Sequence, residues 1–82
     1  MRLVSYVLRA VMRDPVYRII VGCLDGREGG ATTREVMLCL AERGIVLTES
    51  SVRSRLRTLE RLGAVRSVDL GRLLVWFLVR RK

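Results

Sequence analysis

Between Thr48 and Gly63, serine, threonine and arginine are interleaved with aliphatic residues at spacings that separate chemistry from packing. Val52, Leu56, Leu59 and Leu62 recur every three or four positions, the apolar stripe of an amphipathic helix. At about 100° per residue the opposite side carries Ser50, Ser54, Arg57, Thr58 and Arg61, flanked by Arg53 and Arg55. Short hydroxyls and guanidiniums with little acid to oppose them form a surface that can lie against a phosphate backbone. The same groups can reach base edges between the strands.

Other chemistries find little support. The chain has no His, and no carboxylates are paired at a helical spacing that would join them in a cleft. Glu28, Glu35, Glu42, Glu49 and Glu60 read as caps and helix-surface partners. Gly29-Gly30 lacks the Lys-Ser/Thr continuation that a phosphate loop requires. Two separated cysteines without His do not make a zinc site. The expectation is a binding protein with no catalytic residues, no cofactor and no metal. Cys23 and Cys39 sit inside apolar helical patterns, as small buried hydrophobes do. A disulfide between their helices is the alternative, which spacing alone does not decide.

Composition points to a polyanionic partner. Sixteen basic residues against eight acidic ones give a formal charge of +8. That excess favours nucleic acid first and an anionic membrane surface second. Eighty-two residues argue for one domain, and a 5% aromatic content for an aliphatic core. Asn and Gln are absent, and the sole Lys is Lys82. Missing thermolabile amides and abundant charge fit a thermophile, and a GC-rich genome would give much of the same Arg bias. The missing amides also restrict base reading. Adenine is normally read by Asn or Gln and guanine by Arg. Direct readout is therefore expected to use guanine edges, thymine methyl groups and DNA shape. No apolar run approaches the ~18 residues of a membrane span. Arg9 and Arg13 interrupt a leader-like core, so a cytoplasmic protein without a membrane partner is expected.

The elements that must carry this surface are legible from caps and periods. Residues 1–13 read as an amphipathic helix with Leu3, Val4, Val7, Leu8, Val11 and Met12 on its apolar face. Residues 14–82 read as the main domain. Asp14-Pro15 starts a helix running to about Leu24. A polar loop follows, Asp25 to Gly30. Thr32 and Glu35 form a capping box for a helix that Gly44 stops. Thr48 caps the Ser/Arg helix and Gly63 ends it. Val65–Leu70 reads as a short strand and Gly71-Arg72 as a tight turn. Leu73–Val79, apolar on both faces, reads as a strand covered on both sides.

This order, from Pro15 to Val79, resembles the winged helix-turn-helix family of small archaeal and bacterial transcription regulators. The resemblance is carried by the capped helix Thr33–Arg43, the turn Gly44–Leu47, the helix Glu49–Leu62 and the exit Leu59-Glu60-Arg61-Leu62-Gly63-Ala64-Val65. It implies an α+β fold with a three-helix core and a C-terminal β-hairpin wing. The N-terminal helix is extra to the minimal module, and the wing is shorter than in many members. The resemblance also implies a last helix in the major groove of double-stranded DNA and a wing on the backbone. Carried over, Ser50, Ser51, Ser54, Arg55, Arg57 and Thr58 face DNA. Arg57 and Arg61 are expected mainly on phosphate, and Arg53 or Arg55 at a guanine edge. Arg72 is placed at the wing tip with Arg66 nearby. The expected function is sequence-preferring DNA binding by a transcriptional regulator. The two spare apolar surfaces, Leu3–Met12 and Leu73–Val79, suggest a homodimer. The alternative is a winged-helix module that binds protein in a nucleic-acid or chromatin assembly.

Overall fold

Helix boundaries follow from the capping residues. The computed structural model describes residues 2–79, with side chains from Val7 onward. The side chains of Leu3 and Val4, and the basic end Arg80-Arg81-Lys82, lie outside the described residues. The first helix, α1, spans Arg2–Val11. It stops two residues short of the expected Arg13. Pro15 disfavours a helical conformation at the residue before it, and Asp14 is accordingly extended, with ψ 121°. Asp14 instead caps α2 (Pro15–Leu24), its carboxylate accepting from the Val16 amide at 2.9 Å.

After the polar loop, Ala31–Thr32 form the strand β1, and Thr32 caps α3 (Thr33–Glu42) at once. The capping box is complete. The Glu35 amide donates to the Thr32 hydroxyl at 3.1 Å, and the Thr32 amide donates to the Glu35 carboxylate at 2.8 Å. The Ser/Arg helix, α4, spans Glu49–Arg61, with the Ser51 amide donating to the Thr48 hydroxyl at 3.0 Å. Leu62 is its C-cap. Gly63 follows with φ +81°, a conformation that costs glycine nothing. The Gly63 amide bonds to the Glu60 carbonyl and the Ala64 amide to the Leu59 carbonyl, a Schellman ending. Gly44 closes α3 with the same pair of bonds. The strands β2 (Val65–Asp69) and β3 (Leu74–Leu78) complete the chain.

The protein is an α+β fold with four helices and a three-stranded antiparallel sheet among its described residues, an arrangement compatible with a winged helix. The sheet order is β1-β3-β2, so the last strand lies in the middle. Trp76 at its centre faces Ser67 on one side and Ala31 on the other. The core takes Ile20 and Leu24 from α2, Val36 and Leu40 from α3, and Val52, Leu56 and Leu59 from α4. Ala31, Val65 and Trp76 close it from the sheet. Each large aliphatic side chain buried this way contributes about 1.5–3 kcal/mol. From α1, Leu8, Val11 and Met12 pack against this core, while Val7 is exposed.

The strand β1 has no signal in the sequence. At two residues it is too short to show a period, and its partners Trp76 and Val75 lie far along the chain. The expectation that Leu73–Val79 is covered on both sides holds for one side only. Leu74, Trp76 and Leu78 face the core, whereas Val75 and Phe77 are half-buried and Leu73 and Val79 are exposed. What covers the outer side is a loop, not a second layer of helices. Gly30 passes so close that a Cβ there would lie 2.7 Å from Val75 and 2.8 Å from the Trp76 carbonyl oxygen. Its φ of +76° also suits glycine. Finally, Cys23 and Cys39 form a disulfide, joining α2 to α3 with their Cα atoms 6.2 Å apart. The free-thiol reading is thereby replaced. Each cysteine lies on the face its helix turns toward the other, which helical period alone could not establish.

Candidate nucleic-acid interface

The inward stripe of α4 fixes which side chains face out. Val52, Leu56 and Leu59 are completely buried, and Leu62 is half-buried at the helix end. Ser50, Arg53, Ser54 and Arg61 are exposed, while Ser51, Arg55, Arg57 and Thr58 are half-buried. Glu49 lies in the first turn, where the helix dipole favours its charge. The helix axis therefore presents the stripe Ser50, Ser54 and Arg61 outward, as its period required.

The arginines divide by what they touch. Arg53 pairs with Glu49 at 3.4 Å, one turn back along the surface. Arg57 turns toward the sheet. It binds Glu60 at 2.8 Å, reaches the Ser67 hydroxyl at 3.5 Å and stacks 5.1 Å from the Trp76 ring. Arg55 lies on the opposite flank, 5.4 Å from the Tyr17 ring of α2, with its Nε buried and unbonded. Arg61 donates to Thr58 at 3.3 Å, and Thr58 donates back to the Ser54 carbonyl at 3.3 Å. Arg55 and Arg57 thus brace α4 against its neighbours, a role that α4's own period could not reveal because the partners are distant in sequence.

The hairpin stands beside this helix. The Gly71 amide donates to the Asp69 carboxylate at 2.8 Å, and the Leu70 amide to the Leu73 carbonyl at 2.8 Å. This sets Gly71-Arg72 at the tip, with Arg72 exposed between exposed Leu70 and Leu73. Between tip and helix runs a groove of about 370 Å³. Arg34, Arg53, Arg57 and Arg72 line it, with Glu49 and Asp69 as the only carboxylates. Arg34, at the start of α3, was missed by sequence reading. Its sole signal is its place just after the Thr32 cap. Arg66 goes elsewhere. Neighbouring Val65 and Ser67 face the core side, so Arg66 points from the other side of the sheet, 4.5 Å above the Phe77 ring. It lines a separate hollow with Arg27 and Glu28.

Two carboxyls are tuned by these contacts. The Ser67 hydroxyl, donating at 2.6 Å, and then Arg57 hold the Glu60 carboxyl below the usual range. The Thr32 amide does the same for Glu35, with Arg27 adding at 3.6 Å. Lowered values mean stability that is fully present above the ordinary Glu range, about 4.3, and lost as pH falls through the lower folded values. The melting temperature should therefore decline on acidification below about pH 4.5, and Glu60→Gln should flatten part of that decline. An identical pH profile in the variant would show that Glu60 does not carry this linkage.

No group of three or more potential metal ligands gathers among the described residues. None of their helices is long and apolar enough to cross a membrane. Comparison of the chain with protein-family models, curated proteins and solved structures finds no match.

Proposed function

We propose that this chain binds double-stranded DNA, with α4 directed into the major groove and the hairpin tip against the adjacent backbone. The observation that carries this reading is the convergence of Arg34, Arg53 and Arg72 on one groove beside the outward stripe Ser50, Ser54 and Arg61. A helix N-terminal half with guanidiniums along one flank is suited to phosphate contact on that side. The +8 charge supplies long-range attraction.

The test is a titration of duplex DNA at several salt concentrations. With about four to six phosphates engaged, affinity should fall roughly 10²–10³-fold between about 50 and 200 mM salt. Arg53→Ala or Arg72→Ala should each reduce the salt slope by about one. Affinity that does not change with salt would remove the reading.

The second reading is a protein partner, on two exposed apolar side chains. Leu38 on α3 is exposed, and Val46 in the turn before α4 is 85% exposed. Apolar binding there would be insensitive to salt. A homodimer belongs to the proposal in reduced form. Leu8, Val11 and Met12 are already used within the chain, which leaves Val7, Leu73 and Val79 exposed for a second copy. Light scattering at tens of micromolar decides it, and a monomer there removes it.

A further inference from the structure

We infer that this interface discriminates little between DNA sequences, so that its substrate class is duplex DNA in general, held by the sugar–phosphate backbone. The inference rests on the DNA-binding reading above.

Reading a base from the major groove takes a side chain that is long, suitably polar and free. Arg on guanine and Asn or Gln on adenine meet this need in two-point contacts. The chain has neither amide. Its α4 guanidiniums are engaged elsewhere. Arg57 is turned to Glu60 and the Trp76 ring, Arg55 lies over the Tyr17 ring, and Arg53, in an exposed pair with Glu49, lines the groove beside the hairpin tip. Arg61 is the last residue of α4, away from the N-terminal half that such helices direct at base edges. What remains there is Ser50 and Ser54. A hydroxyl both donates and accepts, so it pairs with any base edge and reports little about which base it meets.

Charge is concentrated instead where a phosphate strand would run. Arg34, Arg53 and Arg72 line the groove between α4 and the hairpin tip. The two carboxylates there are occupied, Glu49 by Arg53 and Asp69 by the Gly71 amide. Phosphate contacts fix position and carry no sequence information. The surface is thus rich in backbone contacts and poor in base code.

The experiment is a selection from random duplexes of roughly 20 base pairs, followed by titration of the enriched and unrelated sequences at about 50 and 200 mM salt. The expected result is no consensus and dissociation constants within about fivefold of one another, where specific regulators reach about 10³-fold or more. An enriched sequence bound more than about 100-fold tighter than random duplex overturns the inference and leaves the DNA-binding reading standing. Binding of no duplex at the lower salt overturns both. Glu49→Gln gives an independent readout, because it releases Arg53. The expected gain is the same few-fold factor for every duplex. A gain confined to one sequence would assign Arg53 to a base edge and overturn the inference.

Discussion

Trp76→Ala is expected to remove about 3–5 kcal/mol of stability, the largest loss from any single substitution in this core. The ring is fully buried at the centre of the middle strand, between Ala31 and Ser67 on its two neighbours. Its removal leaves a large cavity, and Trp→Ala in a core costs about 3–5 kcal/mol. Its Nε1–H also donates to the buried Thr33 hydroxyl at 2.8 Å, and loss of that bond leaves Thr33 without its donor. A small domain holds only about 5–15 kcal/mol in total. The change reaches the groove beside α4 as well, because Arg57 rests on the same ring. Trp76→Phe keeps most of the volume and drops only the hydrogen bond and part of the stacking surface, so about 1–2 kcal/mol should be lost. Denaturant unfolding followed by circular dichroism separates the two. Equal midpoints for Trp76→Ala and the unaltered protein would contradict this account of the core.

Removal of the disulfide should have the next largest effect. Cys23 and Cys39 stand 16 positions apart and tie α2 to α3. Closing a loop of that length restricts the unfolded chain by an amount worth about 3 kcal/mol. For a domain of this size that corresponds to a melting temperature lower by roughly 12–24 °C. The Cys23→Ala/Cys39→Ala protein, and the unaltered protein with excess dithiol, should lose a similar amount. The agreement has a physical basis, since both act mainly on the unfolded state. Unchanged melting on reduction, with both thiols then accessible to alkylation, would contradict it.

Local chemistry in the sequence located most boundaries. Asp14-Pro15, Thr32 with Glu35, and Thr48 cap the helices where their types demand, and Gly44 and Gly63 end α3 and α4. The stripe Val52, Leu56 and Leu59 gave the buried side of α4 without reference to any partner. Distant pairings were not legible. The strand β1 has two residues and exists because Trp76 and Val75 lie beside it. The helix period placed Arg57 on the outer side of α4. Its long side chain instead curls back to Glu60, Ser67 and Trp76, since an arginine's reach exceeds the precision of a helical wheel. Arg66 and Arg72, six positions apart on one hairpin, serve different faces, because Arg66 alternates away from Val65 and Ser67 along the strand while Arg72 sits at the tip. Arg34 joined the groove only once α3 was folded against the hairpin.

We propose α4 and the hairpin tip as the DNA-contacting surface. Amide chemical-shift mapping during titration with a short duplex tests it most directly. The largest changes are expected at Ser50, Arg53, Ser54, Gly71 and Arg72, with Arg34 also shifting and Leu38 and Val46 unmoved. Changes confined to α1 or to the Leu38–Val46 region, with α4 silent at saturating duplex, would contradict it.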